Sequence, residues 1–231
     1  WDYYNHNNKI VDQMIKNHLI TNRKVIFASG TWIWTRLNYD HKKTEATAFM
    51  HLEESINNNI EDFILTQWMD DGAYGNHIST LLGVFDLANK AMDIKPDTET
   101  YYLITGDNYN ECHLKSKINN TTMSQVGLLW DDPLLSIYTN NYVGNEINNF
   151  SKFIDEQKEL VDLYNKKDHE FEYLISKINY LKLDSRFKLV TQYSNKKLNS
   201  ELIDNYKSIN IYLNELNDWY IKTWNKYNKL Y

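Results

Sequence analysis

The sequence contains a single cysteine, and this scarcity excludes two classes of protein. Cys112 has no second thiol with which to form an internal disulfide, and it lies in no spacing typical of a zinc site. A scaffold held by its own disulfides and a cysteine-ligated zinc domain are therefore both excluded for these residues. Free cysteine is among the residues most often buried, so we interpret Cys112 as a packed thiol.

Basic charge and long apolar runs are also lacking. Lysine and arginine number 25 against 31 aspartate and glutamate residues, which gives a formal net charge of −6. Nucleic-acid-binding proteins usually present a basic face, and a membrane span needs about 18 or more apolar residues, so neither partner is expected. The opening residues have neither the basic nor the apolar region of a signal peptide. Cytoplasmic and secreted bacterial locations both stay open.

Proline and glycine are scarce and unevenly placed along the 231 residues. There are two prolines and seven glycines, and neither residue type occurs after Gly144. Long stretches without these residues favour helices. The composition changes near Lys95 and Pro96, so we predict two domains, 1–95 and 96–231.

The first domain alternates between helical and strand patterns. Apolar residues on one face predict helices over 8–20, 44–58 and 77–92. Short apolar runs over 24–29 and 63–67 predict two buried strands. Strands joined by helices imply a parallel sheet, so the predicted fold class is α/β followed by all-α.

The second domain shows helical spacing throughout its later part. Three stretches of chain each carry an apolar stripe, which predicts an antiparallel helical bundle. The stripes comprise Leu160, Leu163 and Tyr164; Phe171, Leu174, Ile178 and Leu181; and Ile209, Leu213, Leu216 and Tyr220. No repeat of fixed period is visible, which argues against a solenoid.

Aromatic residues are abundant and cluster where strands are predicted to end. In parallel α/β sheets, ligand sites lie beyond the carboxyl ends of the strands, so these clusters are expected to converge on one pocket. Indole faces stack on sugar rings, which makes a carbohydrate site one interpretation, and core packing is the other. The clusters comprise Trp1, Tyr3 and Tyr4; Trp32 and Trp34; and Trp68 with Asp70 and Asp71.

Three of these segments resemble successive strand ends of glycoside hydrolase family 20. They are W-D-Y-Y at 1–4, F-A-S-G-T-W-I-W at 27–34 and L-T-Q-W-M-D-D-G at 65–72. The stretch L-L-W-D-D-P-L-L at 128–135 is similar to one in the helical C-terminal domain of the bacterial exo-β-N-acetylglucosaminidases. The resemblance covers nearly the whole chain and depends on the order and spacing of the motifs.

This resemblance implies a fold and a reaction. Residues 1–95 would be the last βα units of a (β/α)8 TIM barrel, followed by an α-helical C-terminal domain over 96–231. The activity would be that of a β-N-acetylhexosaminidase, which removes terminal β-linked GlcNAc or GalNAc with retention. In that substrate-assisted mechanism the acetamido oxygen attacks the anomeric carbon, an Asp orients it, and a neighbouring Glu is general acid and base.

The same resemblance defines the expected partners. The Asp-Glu pair belongs to an earlier strand that has no counterpart in this sequence, so no catalytic residue is expected in this chain. The chain alone is expected to be inactive, with the missing N-terminal barrel half as a partner. N-acetylhexosamine-terminated glycans are the expected ligands, a homodimer is a candidate assembly, and no cofactor is implied. The linkage and the natural glycan stay open.

The third motif supplies two of the substrate-binding residues that the resemblance implies. Trp68 would form a wall of the −1 subsite, and Asp70 would accept hydrogen bonds from the sugar hydroxyls. Two residues depart from the family pattern. Met69 replaces the usual glycine between Trp68 and Asp70, and Ser29 lies where glycine is common. A side chain at Met69 either crowds the site or points away from it, and the sequence does not decide which.

The first two motifs supply the remaining substrate-binding residues. Trp32 or Trp34 would enclose the acetamido group, and Tyr3 or Tyr4 would offer it a hydroxyl contact. Alternate residues of an extended segment point to opposite faces, which favours Tyr3 together with Trp1, and Trp32. The sequence does not decide which member of each pair faces the site.

Other polar groups carry no catalytic pattern. Glu53 and Glu54 lie on a predicted helix, where solvation is expected, and Asp131 and Asp132 precede Pro133, where capping or a turn is expected. The seven histidines show no zinc-binding spacing, so no metal site is predicted. The competing function is a non-catalytic carbohydrate-binding or helical interaction module. A helical structural protein would instead leave the tryptophans scattered in its core.

Overall fold

A computed structural model describes residues 1–69, 74–143, 149–197 and 199–227. The protein is mostly helical with a small parallel sheet, which confirms the α/β and then all-α order of elements. It divides into two compact units, Trp1–Asn120 and Thr121–Tyr231. Among the described residues, no helix is both long enough and apolar enough to cross a membrane.

The first unit contains every strand and helix predicted for residues 1–95. The boundaries shift by a few residues, and two further helices follow. In chain order its elements are α1 (Asn8–Leu19), β1 (Ile26–Thr31), α2 (His41–Thr44), a π-helical turn (Glu45–Phe49), α3 (Met50–Asn57), β2 (Asp62–Gln67), a 3₁₀ turn (His77–Thr80), α4 (Leu81–Ala91), α5 (Thr98–Thr105), α6 (Tyr109–Ser116) and a second 3₁₀ turn (Lys117–Asn119).

The two strands pair in parallel, as the alternation of strands and helices predicts. Ile26 lies opposite Asp62 and Thr31 opposite Gln67, with no bulge between. β1 is buried from Phe27 onward. The prediction that β2 is also buried is wrong, because the Ile64 side chain is 49% exposed. Within the described residues β2 has only β1 as a neighbouring strand, so part of its surface is uncovered.

The helices of the first unit pack on both strands through small apolar clusters. Val11 and Ile15 of α1 pack with Phe27 of β1. Leu52 of α3 and Leu87 of α4 form a second cluster, with Phe63 of β2 packed against it. Full burial of one such side chain stabilises the fold by roughly 1.5–3 kcal/mol relative to exposure.

The first unit extends beyond residue 95 because aromatic side chains attach α5 and α6 to α4. The rings of Tyr101 on α5 and Tyr109 on α6 lie 5.2 and 6.1 Å from that of Phe85, at steep angles to it. Tyr101 is buried together with Tyr39 and Leu82. These edge-to-face contacts join residues 98–116 to the sheet-containing part of the unit.

The second unit is built from helices alone in its described residues. α10 packs against both of its neighbours in the chain. The predicted stripe residues lie on α9, α10 and α11, and most are buried, although Leu213 is exposed and not part of the core. The elements are α7 (Gln125–Trp130), α8 (Ile137–Val143), α9 (Asn149–Tyr164), a 3₁₀ turn (Lys167–His169), α10 (Glu170–Ser194) and α11 (Ser200–Tyr227).

The L-L-W-D-D-P-L-L stretch forms the turn between α7 and α8, and its two aspartates hold that turn by hydrogen bonds. The Asp131 carboxylate accepts hydrogen bonds from the amides of Tyr138 and Thr139, and Asp132 accepts from those of Leu134 and Leu135. Both carboxylates therefore cap turns, as expected from their position before proline. The ammonium group of Lys182, on α10, donates to three backbone carbonyls at the end of α7.

The close approach of α4 to Tyr39 generates a stability prediction. A Cβ added at Gly83 would lie 2.5 Å from the Tyr39 hydroxyl and 2.6 Å from its ring carbon, inside any normal contact. Overpacking a core typically costs about 1–3 kcal/mol, while alanine gains up to about 1 kcal/mol of helix propensity over glycine. We therefore expect Gly83→Ala to lower the free energy of unfolding by about 1–2 kcal/mol in urea titrations.

The matched control for this substitution is Val84→Ala, on the exposed side of the same helix. Its free energy of unfolding should stay within about 0.5 kcal/mol of the parent value. A Gly83→Ala variant as stable as the parent would contradict the close packing of Tyr39 on α4.

Candidate functional site

The N-terminal segment, residues 1–5, has no helix or strand of its own and is held by hydrogen bonds. The Asp2 amide donates to the Ala28 carbonyl of β1 at 3.0 Å. The Asp2 carboxylate accepts from the amides of Tyr4 and Asn5 and from the Asn5 side chain. Burial would raise the pKa of Asp2, but these hydrogen bonds outweigh it and lower the pKa. The segment is therefore folded around a charged Asp2.

His51 of α3 joins this segment to β1. Its Nε2 lies 2.9 Å from the Asn5 carbonyl, and its Nδ1 lies 2.8 Å from the Ser29 hydroxyl. A carbonyl can only accept, so Nε2 carries the proton and Nδ1 accepts from Ser29. Ser29 and His51 are both fully buried, and each nitrogen of the ring is occupied. The pair therefore holds the segment and is not a solvent-accessible nucleophile and base.

Trp32 follows β1 and is anchored by the helix that contains the π-helical turn. Its backbone amide donates to the Thr44 hydroxyl, and its indole N–H lies 3.1 Å from both the Thr47 hydroxyl and the Tyr3 carbonyl. Trp32 is buried and its ring stacks on Trp34 at 4.2 Å. Its indole N–H is thus used within the protein and supports the position of Tyr3.

Four aromatic side chains meet beyond the ends of the two strands, and we name them the aromatic cluster: Trp1, Tyr3, Trp34 and Trp68. The ring of Tyr3 lies 6.4 Å from Trp1, 5.7 Å from Trp34 and 6.2 Å from Trp68. Trp1 and Trp68 lie 6.1 Å apart. Trp1 is 82% and Trp68 36% exposed, whereas Trp34 is buried. The cluster therefore combines two exposed indoles with one buried indole.

Thr66 at the end of β2 and Gly30 of β1 fix the base of the aromatic cluster. The Thr66 hydroxyl accepts from the Trp68 indole N–H at 2.9 Å and donates to the Ser29 carbonyl. The Tyr3 hydroxyl lies 3.4 Å from the hydroxyl oxygen of Thr66. A Cβ at Gly30 would meet Thr66 atoms at 3.1 Å and the Trp34 ring at 3.2 Å. Glycine therefore lets Trp34 lie close over the strand end.

The structure brings together three of the five residues proposed from sequence as substrate-binding. Trp1, Tyr3 and Trp68 belong to the aromatic cluster. Trp32 stacks on Trp34 and donates to the Tyr3 carbonyl, and Trp34, the other member of that pair, makes the ring contact to Tyr3. Asp70, and Asp71 beside it, lie outside the described residues.

The aromatic cluster can bind a flat, weakly apolar face, and its polar groups are few. Exposed indole rings such as those of Trp1 and Trp68 suit the C–H face of a pyranose ring. The Tyr3 hydroxyl is the nearest polar group that could contact a substituent of such a ring. The sequence did not predict the supporting roles of Ser29 and His51, because no local pattern indicates which residues a buried histidine will contact.

The burial of His51 generates a prediction on pH. Burial lowers the pKa of His51 below its ordinary 6.5, and the nearby Asp2 charge offsets this only in part. Just below pH 6.5 the unfolded chain therefore binds more protons than the folded one, so stability falls as the pH drops through that range. We expect the urea midpoint, followed by tryptophan fluorescence, to be highest above pH 7 and to decrease toward pH 5.

His51→Gln tests the origin of that slope. The variant should lose about 1–3 kcal/mol at pH 7.5, because buried partners are left unpaired, and its pH dependence should be shallower. Burial also lowers the pKa of His41, so part of the slope should remain. The exposed His18→Gln serves as the control and should match the parent. An unchanged slope in His51→Gln would show that another group is responsible.

Comparisons with known proteins leave the family unassigned. No protein-family model matches this chain, and no curated protein matches it significantly.

Proposed function

We propose that this chain is part of a glycoside hydrolase family 20 β-N-acetylhexosaminidase and that the aromatic cluster belongs to its −1 subsite. The observation that carries the proposal is the meeting of Trp1, Tyr3 and Trp68. These side chains come from two motifs 60 or more positions apart, and their rings lie within 6.4 Å of one another. They lie beyond parallel strands, where α/β proteins place their ligands.

The proposed architecture is the end of a (β/α)8 barrel over residues 1–95 and a helical bundle domain within 96–231. Three observations support the barrel: β1 and β2 are parallel, helices alternate with them, and the Asp2 amide hydrogen-bonds to β1 as a preceding strand end would. The half-buried β2 suits a strand that has another neighbour in the whole enzyme. Consecutive packing of α9, α10 and α11 supports the bundle.

The residues divide the work of the subsite in this proposal. Trp68 forms a wall against the sugar face, and Tyr3 offers its hydroxyl to the acetamido group. Trp34 replaces Trp32 as the indole assigned to that group, because the Trp34 ring packs against the Tyr3 ring, whereas Trp32 reaches only the Tyr3 carbonyl. Asp70 accepts hydrogen bonds from the sugar hydroxyls. The Asp-Glu pair of the substrate-assisted reaction comes from the N-terminal barrel half.

A second candidate is a carbohydrate-binding module without catalysis. The exposure of Trp1 favours it, since an open aromatic platform binds sugar without the enclosure that hydrolysis requires. A helical interaction module is a third candidate, favoured by exposed apolar side chains around the α7–α8 turn such as Trp130 and Leu135. Measuring sugar binding and hydrolysis separately distinguishes the three.

Binding of the monosaccharide tests the aromatic cluster. We expect N-acetylglucosamine to shift tryptophan fluorescence and to show saturation transfer in NMR, whereas glucose, which lacks the acetamido group, should bind more weakly. Trp68→Ala should weaken binding by about tenfold or more, the equivalent of about 1.4 kcal/mol of stacking. Trp130→Ala, which changes an exposed tryptophan of the second unit, is the matched control. Equal losses in both variants, or no binding at all, would contradict the proposed subsite.

Hydrolysis of a chromogenic N-acetyl-β-glucosaminide tests the enzyme. A sample whose intact mass is 27.6 kDa should bind the sugar but release no chromophore, because the proposal assigns the catalytic Asp-Glu pair to an earlier barrel strand. The adjacent Asp155 and Glu156 lie on helix α9 of the second unit and take no part in it. A longer chain containing these residues should be active and lose that activity in Asp70→Ala. A longer chain that binds the sugar but never cleaves it would favour the binding module.

A further inference from the structure

The first unit also contains a cluster of polar side chains, none of which belongs to the aromatic cluster. It consists of His41 at the start of α2, Asp86 on α4 and His113 on α6. One ligand-type atom from each residue lies within 4.8 Å of the other two. No other group of three such residues comes together in the part of the chain that the structure describes.

From this geometry we propose that His41, Asp86 and His113 bind one divalent transition-metal ion, with Zn²⁺ as the best-fitting ion. The proposal does not depend on the glycosidase function. Two histidines and one carboxylate, with a fourth position left to solvent, form a common zinc site, and the same set also suits Fe²⁺. The three residues come from three helices, so a bound ion would tie α2 and α6 to α4.

The distances to Asp86 are close to those between ligands around one ion. His113 Nε2 lies 3.2 Å and His41 Nδ1 lies 3.8 Å from Asp86 Oδ2. Two ligands about 2.0–2.1 Å from a tetrahedral ion lie about 3.3 Å apart, so the first distance fits directly. The second requires His41 to move by a few tenths of an ångström. The two imidazole rings lie 4.4 Å apart and at a steep angle.

The state of Asp86 is an independent observation that points to a ligand. Its side chain is only 5% exposed, and its Oδ1 accepts a hydrogen bond from the Tyr109 hydroxyl at 2.7 Å. Its Oδ2 is buried and accepts no hydrogen bond from any described residue, although the imidazole nitrogens of His113 and His41 lie 3.2 and 3.8 Å from it. A buried carboxylate oxygen without a donor is costly, and a bound cation would satisfy it.

The surroundings of the three residues also suit a metal site. Tyr109 holds the carboxylate through Oδ1, which leaves Oδ2 directed at the two imidazoles. Carboxylate ligands in metal sites are usually oriented by such an outer hydrogen bond. The side chains of His41 and His113 are about one-quarter exposed, so an ion and a water molecule can reach them from solvent.

Calorimetric titration of the metal-free chain with Zn²⁺ tests the proposal. We expect one ion per chain, a raised melting temperature in the presence of excess Zn²⁺, and loss of both effects on adding a chelator. His113→Gln and Asp86→Asn should each weaken Zn²⁺ binding by tenfold or more. His18→Gln, a matched change at an exposed histidine distant in sequence, should bind Zn²⁺ like the parent. Absence of stoichiometric binding, or equal binding by all variants, would overturn the proposal.

A measurement on the unaltered chain guards against variants that fail to fold. Diethyl pyrocarbonate modifies accessible imidazoles, and mass spectrometry of peptides locates the modified residues. Zn²⁺ should protect His41 and His113 and leave His18 as reactive as before. Protection of all three histidines alike, or of none, would show that Zn²⁺ does not bind at this cluster. Sugar binding by the aromatic cluster should be the same with and without Zn²⁺, so failure of one proposal is distinct from failure of the other.

Discussion

The aromatic cluster depends on one buried imidazole. His51 accepts from the Ser29 hydroxyl through one nitrogen and donates to the Asn5 carbonyl through the other. The segment that carries Trp1 and Tyr3 has no regular structure to hold it, so this bridge, with the turn around Asp2, fixes where both rings lie. A buried polar network of this kind stabilises one arrangement strongly because each unpaired member would be costly.

Trp32 also holds the N-terminal segment, through a second set of hydrogen bonds. The Tyr3 carbonyl receives the indole N–H of Trp32, whose backbone amide is held by Thr44. Strand β1, the helix that follows it and the N-terminal segment are therefore joined by hydrogen bonds between side chains and backbone, and not by apolar contact alone.

The sequence predicts the features that follow from local patterns and from the rule for parallel strands. Short apolar runs separated by helices suffice to predict the pairing of β1 with β2 and the convergence of aromatic residues beyond it. The place of Trp1 depends in addition on the His51 bridge, which no local pattern predicts. Trp34 could not be distinguished from Trp32, because residues two positions apart share a face in an extended segment, and β1 in any case ends at Thr31. The exposure of Ile64 depends on how many strands flank β2, and the meeting of His41, Asp86 and His113 depends on the packing of three helices. No local spacing encodes either.

The π-helical turn at Glu45–Phe49 determines how the helical segment around it places His41 and His51 against different partners. A single extra residue in a helical turn rotates everything after it by about 100° around the axis, relative to an uninterrupted α-helix. His41 precedes the turn and lies beside Asp86, whereas His51 follows it and faces Ser29. The extra residue thus sets the phase between the two histidines. Insertions or deletions between them would be far less tolerable than substitutions, because any change of length there would turn one of the two away from its partner.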